Sequence, residues 1–225
     1  AARQLRTRRS RTFGMRLEPV RDGVNGLVLD QFLHHLVEVA QDVGYRVQLF
    51  TAADDEAELA TFSDLLVSSD LDGFLLTGTH HGDPRTAWLA VRGVPFVTFG
   101  RPWGAVARHS WVDVDGAAGT RAAVAHLAER GHRRIGWIGW PHDSGTGEDR
   151  RAGWRQGLTD AGLPADPRWE VAIADGVAQG REAASRLGTP IVSANAYLGA
   201  RPIAEACRAG ADVIVTGRVT DSALA

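Results

Sequence analysis

Short apolar runs alternate along this chain with longer stretches whose apolar side chains recur every three or four positions, the patterns of buried strands and amphipathic helices. Thr12–Leu17 reads as a first core strand, with a polar, Gly-containing loop after it. Leu27–Val43 carries the helical period, with Phe32, Leu36, Ala40 and Val43 on one stripe and Gly44 as its stop. Tyr45–Phe50 alternates like a strand, and Asp54–Ser69 returns to the helical period through Leu59, Phe62 and Leu66. Leu71–Thr77 is a nearly continuous apolar strand that opens into the polar loop Gly78–Asp83. A short helix over Pro84–Val91 leads to a buried strand over Val94–Phe99.

Ser110–Gly139 compresses the same unit into one stretch. A short strand ends in Asp113 and Asp115, a helix with Val124 and Leu127 on its stripe closes at Gly131, and a second strand spans Ile135–Ile138. The order continues through Glu148–Ala161, Val177–Leu187, Pro190–Ala194 and Ala200–Ala209. Strand-then-helix repetition predicts an α/β protein with parallel sheet, because parallel strands need a covering crossover between them. In such sheets, polar residues at strand ends sit where ligands bind.

Composition changes this picture at the N-terminus. The chain has a formal net charge of −2, which predicts no general affinity for polyanions. Yet residues 1–21 hold seven arginines against Glu18. By composition AARQLRTRRSR is a solvated terminus or a nucleic-acid arm with Arg on phosphates and Leu5 as an apolar wedge. The single Cys207 excludes an internal disulfide and a cysteine-based zinc site, and suits a reducing cytoplasm. No apolar run reaches the ~20 residues that span a bilayer, and no apolar segment follows the basic start as in a signal peptide. The absence of an initiator methionine predicts sequence upstream of Ala1.

Chemistry is sparse. No P-loop, HExxH, nucleophile elbow or CxxC occurs, and the glycines of GTHHG (78–82) and GTG (145–147) read as loop turns. His34–His35 and His80–His81 are adjacent pairs; neighbours on a helix do not share a face, so no metal site is expected, and no cofactor is implied. Asp113 and Asp115 would share one side of a strand as paired carboxylates, or Asp115 would cap the following helix while Asp113 serves a loop. Arg150 and Arg151 open a helix, where a guanidinium fork suits vicinal hydroxyls or a carboxylate. Trp103, Trp111 and Trp140 fall near the same strand tips, and aromatic faces there suit the C–H faces of a sugar.

The segments RQLRTRRSRTFG, LDGFLL, GVPFVTFGR, WVDVDGAAGTRAAVAHLAERGHRRIGWIGW and DRRAGWRQGLTDAGL resemble the effector-binding core of LacI/GalR-type transcriptional regulators, in order and spacing, from residue 1 to about 187. The resemblance implies a periplasmic-binding-protein-like fold with two parallel-sheet subdomains, over 12–112 and 113–187. It further implies a sugar-like effector in the cleft, homodimers, and an N-terminal helix-turn-helix that reads an operator. AARQL resembles the hinge helix (1–11), with Leu5 as the minor-groove leucine flanked by Arg3 and Arg6. Arg150 matches the effector-binding arginine, and Asp113 and Trp111 fall on the crossover beside the cleft. Arg101 matches the arginine of an Asp-Arg pair whose Asp is here Gly100, so one sugar contact is expected to be missing. Asp30, Phe32 and Thr77 complete the expected effector-binding set.

Two departures from the family shape the expectation. A helix-turn-helix domain would precede Ala1, and the second subdomain would continue past Gly188 to a C-x-N-D motif, whose Asp falls at Ala196 if SANA stands in its place. Residues 189–225 instead resemble a fragment of the acyclic terpene utilisation (AtuA-like) family, through ANAYLGA and AGADVIVTGRVTD, with Thr216, Arg218 and Asp221 as polar residues. The expected molecule is thus a C-terminally incomplete, non-enzymatic sensor core that binds operator only with its helix-turn-helix. The alternatives are an enzyme-associated AtuA-like fragment, or a non-functional fusion whose tail supplies a βα unit.

Overall fold

The computed structural model describes residues 10–17, 27–104, 108–141, 144–174 and 176–186. Leu5, Arg3, Arg6 and the whole of 188–225, including Thr216, Arg218 and Asp221, lie outside them. The chain divides into two compact units between Val114 and Asp115.

The first unit holds strands β1 (Thr12–Arg16), β2 (Arg46–Phe50), β3 (Gly73–Leu76), β4 (Phe96–Phe99) and β5 (Ser110–Val112). They form one sheet in the order β2-β1-β3-β4-β5, every pair parallel. Helices α1 (Leu27–Asp42), α2 (Asp55–Ser68) and α3 (Pro84–Val91) make the crossovers between the first four strands. Phe62 of α2 and Leu89 of α3 pack with Phe74 and Leu76 of β3, and Phe50, Trp88 and Phe96 close around them. On α1, Phe32 stacks on Phe99 of β4 with ring centroids 4.5 Å apart. Short acidic caps start the helices: Asp54 accepts from the Ala57 amide at 2.9 Å, and Asp83 from the Arg85 amide at 3.0 Å, with Pro84 at the first turn.

The second unit runs through α4 (Gly116–Glu129), β6 (Trp137–Gly139), α5 (Gly145–Asp160), β7 (Glu170–Ala172) and α6 (Val177–Arg186). Strands β6 and β7 are parallel neighbours. Val124, Ile135, Trp154 and Leu158 form its core, and the Trp154 indole Nε1 donates to the Ile135 carbonyl at 3.2 Å. Helices α4 and α5 pack backbone to backbone: a Cβ on Gly153 would lie 2.1 Å from the Ala117 carbonyl oxygen and 2.4 Å from Thr120 Oγ1. Only a residue without a side chain fits there.

The α/β architecture with parallel sheet matches the sequence pattern, with corrections in detail. Val43 is 63% exposed, not on the buried stripe, because α1 ends at Asp42 and Val43 lies in the turn to Gly44. The strand expected over Ile135–Ile138 is shifted to Trp137–Gly139, with Ile135 buried just ahead of it. Gly145 and Gly147 are not loop turns; they lie in the first turn of α5, where the Ser144 hydroxyl accepts from the Gly147 amide at 3.1 Å. Asp113 and Asp115 are not paired carboxylates, because β5 ends at Val112 and each aspartate has its own backbone duty. Strand β7 and the 3-10 turn Pro167–Trp169 ahead of it carry too short an apolar run to show in the periodicity.

Gly153→Ala should therefore destabilise the chain by ~2–3 kcal/mol in urea unfolding, the usual scale of overpacking a rigid contact. An unchanged midpoint would mean that α4 and α5 are free to separate.

Candidate functional site

The carboxyl ends of the strands collect most of the residues singled out above. In the first unit, β4 leads through Gly100 into Arg101, whose Nε donates to Asp113 Oδ2 at 2.5 Å; the Arg101 amide reaches the same oxygen at 3.3 Å. Asp113 Oδ1 accepts from the Val114 amide at 2.8 Å. Arg101 and Asp113 thus form one half-buried ion pair that ties the end of β4 to the end of β5. The Arg101 guanidinium lies 5.0 Å from the Trp103 ring centroid. The Thr79 hydroxyl donates to the Arg101 carbonyl at 3.1 Å, joining the loop after β3 to the loop after β4.

Thr77 follows β3 and is 3% exposed. Phe32 reaches the tip through its stack on Phe99. Trp111 is 44% exposed on β5, an edge of this sheet. Asp30 is exposed on α1, where its carbonyl oxygen lies 2.9 Å from His34 Nδ1. The structure therefore places Arg101, Asp113 and Thr77 just past strand ends and Phe32 against Phe99 of β4, while Trp111 lies within β5 and Asp30 on α1.

Beneath the β3 loop lies a charged cluster that the sequence did not reveal. Arg85 is 0% exposed and Glu58 1%. Arg85 donates to Asp83 through Nε at 2.9 Å and Nη2 at 2.7 Å, to Glu58 Oε2 at 3.0 Å, and to the Gly78 carbonyl at 3.2 Å. Arg16 Nη1, at the end of β1, meets the same Glu58 oxygen at 2.9 Å. Burial pushes the Asp83 carboxyl up, but the Arg85 hydrogen bonds and charge outweigh it and hold Asp83 below the usual aspartate range. Burial dominates at Glu58, which is raised although Arg85 and Arg16 pull the other way. His80, not paired with His81 as a ligand, bonds Asp55 through Nε2 at 3.0 Å. Asp55, His80 and Asp83 present ligand-type atoms within 4.8 Å of one another, but Asp83 is committed to Arg85 and Asp55 to His80.

In the second unit the tip is built around Arg150. Its stem lies against Gly116, where a Cβ would come within 2.9 Å of Arg150 Cγ. Its carbonyl accepts from the Thr120 hydroxyl at 2.8 Å, and its guanidinium sits 5.2 Å from the Trp140 ring centroid. The preceding Asp149 accepts from the Ala117 amide at 3.0 Å, while Asp115 caps α4 through the Ala118 amide at 2.8 Å. Arg151 and Arg155 turn away and pair with Glu170.

The structure aligns with that of a LacI-family regulatory protein from Chloroflexus aggregans at a TM-score of 0.78 and 31% identity, over 92% of this chain and 77% of that one. The chain belongs to the LacI family. It is also similar to a CelR–cellobiose complex, at a TM-score of 0.73 and 26% identity over 92% of this chain and 67% of that one. The HTH-type transcriptional regulator CelR of Thermobifida fusca is 41% identical over 102 residues, which are 45% of this chain and 30% of CelR. The chain spans less than half the length of the regulators it matches in this way. A model of the acyclic terpene utilisation family protein AtuA matches residues 168–225, beginning at Arg168 rather than at Thr189. Among the described residues, no helix is long and apolar enough to cross a membrane.

In this LacI-family chain Gly100 is more than a missing acid. It has a φ of +122°, and a Cβ there would lie 2.2 Å from Thr79 Oγ1. A side chain at this position would break the Thr79–Arg101 link between the two loops.

Asp83 predicts a pH limb, with Glu58 in the same cluster shifted the other way. A carboxyl lowered on folding stabilises the protein above its unfolded pKa, and that contribution is lost as pH falls through the folded value. Stability should thus drop below the ordinary aspartate range. Asp83→Asn should flatten this limb and lose ~3–5 kcal/mol near neutrality, because Arg85 then keeps too few anions in a buried site. Thermal melts of both proteins from neutral pH into acid check this; parallel curves would contradict it.

Proposed function

We propose that this chain is the effector-sensing core of a LacI-family transcriptional regulator and that its effector is a sugar or a similar polyhydroxylated molecule. The observation that carries the reading is Arg150. Among the described residues, its guanidinium has no carboxylate or hydrogen-bond partner, while its stem is fixed by Gly116 and its plane lies near the Trp140 ring. A fixed fork of donors beside an aromatic ring matches vicinal hydroxyls on a sugar whose C–H face meets the ring. The cellobiose bound in the related CelR structure supports a sugar as the ligand class. Arg101, Asp113, Trp111, Thr77, Phe32 and Asp30 are the further candidate effector residues. In the whole regulator, operator reading belongs to a helix-turn-helix domain and a hinge carrying Leu5, Arg3 and Arg6, with a second copy of the chain as partner. Catalysis is not part of this reading, although the AtuA match to 168–225 favours, for that segment alone, a relation to terpene-utilisation proteins.

Calorimetric titration of the chain with cellobiose and a panel of mono- and disaccharides tests the proposal. One sugar should bind, and Arg150→Ala should weaken it roughly tenfold to a hundredfold, the scale of hydrogen bonds from a charged group. The thermal midpoint should barely move, since no ion pair is lost. No heat from any sugar would refute the reading.

A further inference from the structure

His80, Asp55 and Asp83 converge from three places in the first unit: the loop after β3, the first residue of α2 and the residue that caps α3. Their ligand-type atoms all lie within 4.8 Å of one another, and all three residues are part-buried. We propose that these side chains form a site for one divalent transition-metal ion such as Zn2+, held by an imidazole nitrogen and two carboxylate oxygens. The inference does not depend on the sugar reading and uses none of the candidate effector residues.

The His80 ring carries the argument. His80 Nδ1 lies 3.0 Å from the His81 carbonyl oxygen. A carbonyl can only accept, so Nδ1 bears a proton and donates it. With that one proton the ring has a bare lone pair at Nε2, and Nε2 faces Asp55 Oδ2 at 3.0 Å. A lone pair that close to a carboxylate oxygen is repelled. A second proton on the ring relieves the contact, and so does a cation that both atoms ligate. One ring nitrogen fixed on a backbone carbonyl, with the other turned to the ion, is how metal-binding histidines are oriented.

The two carboxylates have the capacity to join. Asp83 Oδ1 accepts from the Arg85 amide and Nε, but among the described residues Oδ2 accepts from Nη2 alone, which leaves that oxygen a lone pair. Arg85 thus orients Asp83 from behind, as an outer partner orients a ligating carboxylate. Two carboxylates match the charge of a dication, and imidazole beside them suits zinc and its neighbours better than Mg2+ or Ca2+. Ligand atoms on a tetrahedral zinc ion stand ~3.3 Å apart, so His80 and Asp55 are near that spacing already and Asp83 has to close by no more than ~1.5 Å. His81 takes no part; its ring is turned to Trp103, with centroids 6.5 Å apart. A bound ion would tie the loop 78–83 to the start of α2.

Calorimetric titration of the full, tag-free chain with Zn2+ tests the site, together with thermal melts with and without Zn2+. The variants are His80→Ala and Asp55→Asn, because neither side chain hydrogen-bonds Arg85; Asp83 is left in place because Arg85 depends on it. Wild type should bind one Zn2+, and each variant should bind it at least ~tenfold more weakly. Zn2+ should raise the thermal midpoint of wild type and leave those of the variants where they are. Without Zn2+ the three midpoints should lie close together, which separates a lost ligand from a lost fold. No binding by wild type would overturn the site and leave His80 and Asp55 as an ion pair. Wild-type affinity kept in either variant would overturn it too, as would weakening seen only together with a lower metal-free midpoint.

Discussion

A guanidinium with no solvent exposure has to be surrounded by its own acceptors, and Arg85 imposes that condition on the whole tip of the first unit. Its acceptors come from three places: Asp83 at the cap of α3, Glu58 in the first turn of α2, and the Gly78 carbonyl in the loop after β3. Satisfying Arg85 therefore sets the path of residues 77–83. That loop carries Thr79, which fixes the Arg101 carbonyl, and Arg101 in turn fixes Asp113 at the end of β5. Three strand ends are held in one arrangement by a relay that starts from a single buried charge. Rigidity of this kind lets a binding site keep unpaired groups ready for a ligand.

The second unit reaches the same end by close contact instead of charge. Gly153 brings α5 onto α4, Thr120 and Asp149 stitch the two helix starts together, and the Arg150 stem lies against Gly116 of α4. The segments VDVDG and DRRAGW lie far apart in sequence but form one contact. Asp115 caps α4, Gly116 receives the Arg150 stem, and Trp154 anchors α5 on the Ile135 carbonyl. Their joint presence follows from packing.

Much of this was legible in the sequence, for definite reasons. The helical and strand periods of 12–99 placed α1, α2, α3 and their strands within a residue or two, because each element buries one clear apolar face against a single sheet. The motif GHRRI and the DRRAGW helix marked the family, and the strand-end position of Arg101, Asp113 and Thr77 followed from βα order alone. The missed features were those in which charge or shape overrides periodicity. Arg85 and Glu58 sit on a helix face that a polarity pattern reads as solvent, yet they are buried because they satisfy each other. Gly145–Gly147 reads as a turn, yet it is helical because Ser144 caps it. Asp113 and Asp115 read as a pair by strand alternation, but the strand stops one residue before the first of them.

The central claim is that strand-end loops, set by buried polar relays, bind a sugar. Hydrogen exchange of the full chain, with and without saturating amounts of each sugar in a panel that includes cellobiose, tests this most directly. The account predicts that at least one sugar slows exchange at residues 77–83, 100–104 and 144–150 while the remaining helices and strands change little. Exchange unaltered by every sugar, or protection confined to surfaces away from those loops, would contradict it.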